Sequence, residues 1–253
     1  MSDDASPVVA VFRPADERID RAADFLESLG ATPLPDPMLA VDPTGATPAD
    51  APIVVFTSKT GVELAAEAGW NPGGRTLVAI GPATAAAARA AGWSVDVVPE
   101  EYTSAGLVSA LRGRVEGEHV SVARSDHGSA VLLEGLADAG ARVTETVLYR
   151  LQRPAAAGES AELAAAGDLD GLAFTSSLTV EHFLAAATDR GVREEAVAGA
   201  TDAVVGAIGP PTAATAADCG LTADVVPEAA DFEALATRVV EAATERAAGP
   251  DGG

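Results

Sequence analysis

Short apolar runs alternate with amphipathic segments along almost the whole chain. Val8–Phe12 is a β-branched and aromatic run, and the segment after it repeats apolar residues at Ile19, Ala22, Leu26 and Leu29, on one helical face. The full pattern predicts strands at 8–12, 31–34, 53–57, 76–80, 94–98, 119–123, 142–150, 171–175, 204–208 and 223–226. It predicts helices at 16–29, 60–69, 82–91, 103–113, 128–139, 160–166, 178–188, 192–199, 211–218 and 231–247. Such alternation favours parallel crossovers, so we expect an α/β fold with doubly wound parallel sheets.

One stretch of this pattern occurs twice. Leu77–Thr84 and Val204–Thr212 each run from β-branched residues into Gly-Pro, and Gly209 follows Gly81 by 128 residues. Each copy predicts a strand, a tight turn and a helix with Pro in its first turn, where the missing N–H costs nothing. We expect the two glycines to let the backbone turn sharply.

Two further pairs indicate that the duplication is longer. Phe-Thr-Ser ends an apolar run at Ser58 and again 118 residues later at Ser176, and Arg ends an apolar run at Arg13 and again 111 residues later at Arg124. The sequence therefore predicts a first repeat of roughly 8–113 and a second of roughly 119–247. The spatial domains need not coincide with these repeats.

Several polar residues stand at predicted helix starts and strand ends, where anions bind. Free N–H groups in the first turn of a helix attract carboxylates, and Arg at a strand end forms bidentate pairs with them. An alternative for each Ser or Thr is a helix cap, and for each Arg a surface ion pair. The candidates are Arg13, Thr57, Ser58, Gly81, Thr84, Arg124, Thr175, Ser176, Ser177, Gly209 and Thr212.

The charge balance narrows the range of partners. The chain has 16 Lys and Arg against 38 Asp and Glu, a net charge of −22, which argues against nucleic-acid and anionic-membrane partners. Lys59 is the only lysine, and the acidic, Lys-poor composition is typical of proteins from salt-rich cells. Cys219 is the only cysteine, so no intramolecular disulfide forms, and its neighbours lack metal-ligand spacing.

The chain carries no predicted export or membrane segment. Its start is acidic and lacks the basic and apolar regions of a signal peptide. The longest apolar stretch, around Leu77 to Ala91, is interrupted by Gly81, Pro82 and Arg89. We expect a soluble cytoplasmic protein.

Four motifs in this order resemble the uroporphyrinogen-III synthase family. They are Arg13-Pro14 after the first strand, Thr-Ser after a strand in each half, Gly-Pro-x-Thr in each half, and Val147-Leu-Tyr149-Arg-Leu-Gln-Arg-Pro154 in the middle. The resemblance implies two flavodoxin-like domains, one of 1–37 with 153–253 and one of 50–146. Linker strands at 38–49 and 147–152 would join them, and the Pro-rich composition of 33–48 independently favours an extended linker there.

The resemblance also implies a reaction and a catalytic residue. The family closes hydroxymethylbilane, a linear tetrapyrrole with eight carboxylates, to uroporphyrinogen III, with loss of water and inversion of the last ring. Tyr149 matches the tyrosine that assists departure of the hydroxyl. No metal or organic cofactor is implied, and we expect a monomer with a small-molecule substrate. One departure is that Arg124-Ser125-Asp-His-Gly128-Ser129 lacks the second Arg of many bacterial members.

Other interpretations of the same residues remain open. Without the resemblance, Tyr149 is more typical of an aromatic residue buried on a strand for packing. The order Ser125-Asp126-His127 is a poor triad, because three sequential residues rarely present all three roles together. The whole pattern also suits a two-domain binding protein for a small anion, or a regulatory relative that kept the fold and lost the chemistry.

Overall fold

The computed structural model describes residues 6–249. Residues 1–5, on which the expectation about an export signal partly rests, lie outside that range. The strands are β1 (Val8–Phe12), β2 (Thr32–Pro35), β3 (Ala40–Pro43), β4 (Ile53–Phe56), β5 (Thr76–Ala79), β6 (His119–Ser125), β7 (Arg142–Gln152), β8 (Gly171–Phe174) and β9 (Val204–Ala207). The helices are α1 (Glu17–Ser28), α2 (Lys59–Glu67), α3 (Pro82–Ala90), α4 (Ser104–Leu111), α5 (Ala130–Asp138), α6 (Glu159–Ala166), α7 (Ser177–Asp189), α8 (Arg193–Asp202), α9 (Pro210–Asp218) and α10 (Phe232–Ala248).

The chain divides into two compact units, each with its own sheet. The first unit combines the residues up to Ala40 with those from Gln152 onward, and the second is Val41–Leu151. The first sheet has the order β2-β1-β8-β9, and the second has the order β3-β7-β6-β4-β5. All pairings of the first sheet are parallel, and so are those that join β7, β6, β4 and β5. The predicted α/β class with parallel sheets is therefore confirmed.

Both faces of the first sheet are covered, which explains why its strands β1, β8 and β9 are continuously apolar. Along β1, Ala10 and Phe12 pack into one hydrophobic cluster, and Val9 and Val11 pack into the other. The ring of Phe12 stacks on that of Phe174 at a centroid distance of 4.6 Å. Burial on two faces removes the polar alternation of a half-exposed strand.

The second sheet is covered in the same way. Ile53 and Val55 of β4 contact one cluster, and Val54 and Phe56 contact the other. The Phe56 ring lies 5.9 Å from that of Trp93. These paired clusters hold the carboxyl ends of the parallel strands in fixed positions, and those ends carry most of the candidate site residues.

The sheet orders explain why the repeats and the units differ. In the first unit β1 pairs with β8, and in the second unit β6 pairs with β4. Since β1 and β4 belong to the first sequence repeat, and β6 and β8 to the second, each unit contains one half of each repeat. Strands β2-β1-β8-β9 thus correspond in position to β7-β6-β4-β5.

Two predicted strands are reduced to single bridges. Instead of strands at 94–98 and 223–226, the structure has the isolated pairs Val78↔Val97 and Gly206↔Val225. The cause is the same in both units. The side chain of Asp96 accepts the Leu77 N–H, and that of Asp224 accepts the Val205 N–H, each at 2.8 Å. Each carboxylate occupies a backbone N–H group that a longer ladder of strand-to-strand hydrogen bonds would use.

A buried carboxylate joins the two stretches of the first unit. Asp36 is 3% exposed, and it accepts hydrogen bonds from the N–H groups of Gly158 and Ser160 and from the Ser160 hydroxyl. These bonds satisfy free N–H groups at the start of α6 from 122 residues away in the sequence. The sequence analysis missed this residue because it lies in the Pro-rich stretch.

Candidate functional site

A small cavity lies at the carboxyl ends of β4 and β6 in the second unit. Its volume is about 230 Å³, and it brings together four of the predicted site residues. The turn after β4, the loop after β6 and the strand β7 supply most of its wall. The lining residues are Thr57, Ser58, Ile80, Ser104, Arg124, Ser125, His127, Gly128, Ser129, Leu132 and Tyr149.

The Tyr149 hydroxyl is held in a short hydrogen-bond chain. It donates to the Ser58 Oγ at 3.0 Å, and the same oxygen accepts the Gly61 N–H at 3.0 Å. Ser58 is therefore the N-cap of α2, as the alternative interpretation of its sequence predicts. A hydroxyl has two acceptor sites and one proton, so with both acceptor sites filled the Ser58 proton is left to bond a third group.

A bulge in β7 accounts for the orientation of Tyr149. Arg124 is paired with Val147, but Ser125 is paired with Tyr149, so Leu148 is an extra residue in the ladder. Leu148 and Tyr149 consequently both pack into the same hydrophobic cluster, although neighbours on a regular strand point to opposite faces. Bulges commonly redirect a side chain next to a site, and none is visible in a sequence.

Arg124 borders the cavity but is engaged by the protein itself. Its Nε donates to Glu145 Oε1 at 2.7 Å, its Nη1 donates to the Ser129 carbonyl at 2.6 Å, and the residue is 6% exposed. Gly128 makes this possible, because a Cβ there would lie 2.5 Å from the Arg124 Cδ and Nη1. Two of the three nitrogens of this guanidinium thus stabilise the loop after β6.

Asp126 fastens the same loop to β7. Its backbone N–H donates to the Tyr149 carbonyl, and its carboxylate accepts the Leu151 N–H at 3.0 Å and contacts His127 Nδ1 at 2.8 Å. Burial raises the pKa of Asp126, but the hydrogen bonds from His127 and Leu151 outweigh it, so the pKa lies below its ordinary value. Asp126 is bound to the loop rather than to a serine, which agrees with rejecting a triad.

The Gly-Pro turn of the second unit does not need the backbone freedom that the sequence analysis expected of Gly81. Gly81 has a φ of −167°, an extended conformation that any residue adopts, so backbone freedom does not explain this glycine. A Cβ at Gly81 would instead lie 3.3 Å from the ring of Tyr102, which is 59% exposed. Thr84, in the first turn of α3, is 4% exposed. The close approach of an aromatic ring is therefore the physical reason for glycine here.

The corresponding turn of the first unit is similar. Gly209 caps α9 with a φ of −172°, so the expected need for a sharp turn is wrong here too, and a Cβ would meet nothing closer than 3.9 Å. Thr212 is 4% exposed in the first turn of α9. The two threonines therefore pack inside their units.

The Thr-Ser-Ser segment after β8 is occupied by internal hydrogen bonds. The Thr175 hydroxyl donates to the Phe12 carbonyl, which ties the ends of β8 and β1 together. Ser176 forms a capping box with Thr179 at the start of α7. The Ser177 Oγ accepts a bond of 2.8 Å from Thr215. Each of these side chains has a structural partner, as the capping interpretation predicts for Ser176.

Arg13 stands in a different environment. Its guanidinium carbon lies 4.9 Å from the centre of the Phe232 ring, and its Nε is buried without a hydrogen-bond partner. Burial, and then the charge of Arg18, hold the pKa of Arg13 below its ordinary value. A buried donor without an acceptor costs about 1–3 kcal/mol, so this arrangement favours an incoming acceptor.

Two tests for other kinds of site give negative results within residues 6–249. No group of three or more His, Cys, Asp or Glu side chains in this range could hold a metal ion. No helix in the same range has the length and apolar character needed to cross a membrane. Lys59 is 63% exposed and pairs with Glu63 on the same helix, which makes it a solvated side chain.

Comparisons with known proteins agree with the motifs. The family model HEM4, uroporphyrinogen-III synthase HemD, matches residues 20–237. A protein of Methanothermobacter thermautotrophicus named "Putative uroporphyrinogen-III synthase" is 36% identical over 237 residues, which cover 87% of this chain and 92% of that protein.

Two solved structures share the fold at low identity. A mutant uroporphyrinogen III synthase from the extremely thermophilic bacterium Thermus thermophilus has a TM-score of 0.65 and 20% identity, and covers 93% of this chain and 98% of its own. The enzyme named uroporphyrinogen-III synthetase from Helicobacter pylori has a TM-score of 0.63 and 15% identity, over 94% and 99%. The family model and the 36% identical relative each span most of the sequence, and the chain therefore belongs to the uroporphyrinogen-III synthase family.

Proposed function

We propose that this protein is a uroporphyrinogen-III synthase, a lyase of tetrapyrrole biosynthesis. Its substrate is hydroxymethylbilane, which loses its hydroxyl group as water and forms an electron-poor azafulvene. The far pyrrole ring attacks this centre through a spiro intermediate, so that the last ring is inverted in the cyclic product. The protein supplies orientation and a proton donor, and no cofactor or metal takes part.

The observation that carries this proposal is the hydrogen-bond chain in the cavity of the second unit. Tyr149 donates to Ser58, and the Ser58 proton is left for a third group. A departing hydroxyl in this cavity accepts that proton, and Tyr149 replaces it on Ser58. The Tyr149–Ser58 pair thus supplies the proton that converts a poor leaving group into water.

The remaining candidate residues are assigned to the substrate carboxylates. Backbone N–H groups at the helix starts bind carboxylates without adding formal charge, which suits an acidic protein with an anionic substrate. The proposed binding residues are Arg13, Thr57, Ser58, Gly81, Thr84, Arg124, Thr175, Ser176, Ser177, Gly209 and Thr212. We further propose a cytoplasmic monomer with two flavodoxin-like domains at 1–37 with 153–253 and at 50–146, joined through 38–49 and 147–152.

A coupled assay tests the reaction directly. Hydroxymethylbilane is generated in place, the protein is added at a salt concentration that keeps it folded, and the oxidised uroporphyrins are separated. We expect predominantly the type III isomer. Type I alone, which forms from the free substrate without an enzyme, would reject the proposal if the protein is shown to be folded.

The chain's two tyrosines provide a matched pair of variants. Tyr149→Phe removes the donor, and we expect kcat to fall roughly 10²–10⁴-fold with little change in KM. Tyr102→Phe removes a hydroxyl from a side chain that is 59% exposed, and kcat should stay at the wild-type value. Equal activity of both variants would show that Tyr149 has only a packing role, and binding without turnover in the wild type would indicate an anion-binding protein.

A further inference from the structure

A second cavity, in the first unit, concentrates positive charge on an acidic protein. It has a volume of about 290 Å³ and is lined by Arg13, Arg18, Arg21, Ala22, Phe232 and Glu233. Three of the chain's 16 basic residues therefore share one cavity with one carboxylate, although the net charge of the protein is −22. This size is at the lower end of small-molecule pockets, so it suits one anionic group rather than a whole tetrapyrrole.

The three arginines are not equally engaged. Arg18 forms a fork with the carboxylate of Asp16, and Arg21 lies 3.9 Å from Glu17 with 72% of its side chain exposed. Arg13 has neither a hydrogen bond nor an ion pair with any residue of the described range, and it lies on the Phe232 ring. A flat aromatic surface under the guanidinium fixes its plane and leaves its edge for a bidentate acceptor.

We propose that Arg13 and Arg21 bind a carboxylate side chain of the substrate in this cavity, with Phe232 as the platform that orients Arg13. The assignment of a tetrapyrrole carboxylate rests on the proposed function. Glu233 faces the same cavity and limits its net charge, so the pocket discriminates a single carboxylate from a more highly charged group.

The test measures binding without turnover. Uroporphyrin III carries the same eight carboxylates as the proposed product, and its fluorescence reports binding to the protein as it is titrated. We expect Arg13→Gln to raise Kd roughly tenfold or more, because a charge-assisted bidentate pair is lost. Arg21→Gln should raise Kd about threefold, since this side chain is exposed and screened.

Two further variants serve as controls. Arg142→Gln makes the same change in net charge at an exposed position at the start of β7, and its Kd should equal that of the wild type. Arg13→Lys keeps the charge and loses the fork, so its Kd should lie between those of the wild type and Arg13→Gln. Thermal unfolding checks each variant, and Arg21→Gln and Arg13→Lys carry the test if Arg13→Gln does not fold.

The outcomes separate this inference from the proposed function. Equal affinities of Arg13→Gln and Arg142→Gln would overturn the inference even if the wild type forms the type III isomer. Arg13-dependent binding would support the carboxylate pocket even if the coupled assay yields only type I. Failure of the wild type to bind uroporphyrin III, or displacement of the porphyrin by inorganic phosphate at lower concentrations than by citrate, would overturn the assignment of a tetrapyrrole carboxylate.

Discussion

Arg13 and Arg124 occupy equivalent positions in the two sheets but have different surroundings. Arg13 directly follows β1, and Arg124 is the second-last residue of β6, the strand that occupies the corresponding position in the other sheet. Arg124 is 6% exposed and bonded to Glu145 and Ser129, whereas Arg13 has an unmet Nε above Phe232. One arginine stabilises a loop, and the other has an Nε that no residue of the described range accepts.

The register of the neighbouring strand explains much of this difference. Val122, two residues before Arg124, is paired with Glu145, and Val11, two residues before Arg13, is paired with Pro35. A carboxylate therefore faces the arginine on one sheet and a proline stands in its place on the other.

The lengths of the loops that follow Arg124 and Arg13 explain why only Arg124 has a second partner, the Ser129 carbonyl. The cap Ser129 follows Arg124 by five positions, but the cap Asp16 follows Arg13 by only three. The longer loop folds back so that the Ser129 carbonyl reaches the guanidinium, and the shorter loop does not. The comparison shows that duplicated positions acquire different roles through their neighbours.

The largest expected contrast is in stability. Arg124→Gln leaves the partly buried carboxylate of Glu145 and the Ser129 carbonyl without their donor, and we expect the free energy of unfolding to fall by about 2–4 kcal/mol. Arg13→Gln removes a group that has no such partner, and the free energy of unfolding should change by no more than about 1 kcal/mol. Denaturant unfolding of both variants measures the difference, and similar losses would refute the assigned roles.

A smaller effect is expected from Gly128→Ala. The new Cβ would stand 2.5 Å from Arg124 atoms that are held on both sides, so the side chain cannot simply move away. We expect a loss of about 1–3 kcal/mol in the free energy of unfolding, typical of overpacking. Gly74→Ala is the control, because a Cβ there has no neighbour within 4 Å, and a loss as large in this variant would point to a general effect of the substitution.

The sequence was sufficient for the fold class because the core pattern repeats locally. The apolar runs of β1, β4 and β8 are buried on both faces, and this pattern is visible in the residues themselves. The short runs around Val97 and Val225 have the same composition, but Asp96 and Asp224 take the N–H donors of the neighbouring strands. Side-chain competition of this kind depends on a partner strand, so local propensity does not reveal it.

The candidate site was predictable in its residue types and less so in its arrangement. Thr57 with Ser58, Arg124 and Tyr149 were selected from three separate stretches of the sequence, and they line one cavity. The Tyr149–Ser58 bond depends on a bulge, and the unmet donor of Arg13 depends on a strand register. Both are tertiary features, which is why the sequence indicated two similar arginines and the structure separates them.

Pro35→Glu tests the register argument by adding the missing acid. The new carboxylate would face Arg13 as Glu145 faces Arg124, and it would compete with a ligand. We expect Kd for uroporphyrin III to rise roughly fivefold, the effect of an exposed ion pair worth up to about 1 kcal/mol. Thr32→Glu adds the same charge on the same strand away from Arg13, and an equal rise in this variant would assign the effect to net charge alone.

The smallest effect concerns the acids of the two loops. Asp126 and Asp16 both have a pKa below the ordinary value, Asp16 chiefly because Arg18 donates to its side chain. A lowered pKa in the folded state adds stability above the ordinary pKa of about 3.9, and this stability is lost as the pH falls through the folded-state value. Asp126→Asn should therefore be less stable than the wild type at pH 7, by a few tenths to about 1 kcal/mol.

The same difference should shrink as the pH falls below about 3.9 and through the lowered pKa of Asp126, where this carboxylate of the wild type loses its charge. Denaturant unfolding from pH 7 downward, to a pH at which the two stabilities no longer change relative to each other, provides the measurement, with Asp16→Asn as the counterpart from the other loop. A difference that stays constant with pH would mean that the charge of Asp126 is not its cause. No difference at any pH would mean that Asp126 acts through the Leu151 N–H bond alone, which an amide oxygen also accepts. In that case the contact with His127 would contribute nothing to the loop that positions Arg124.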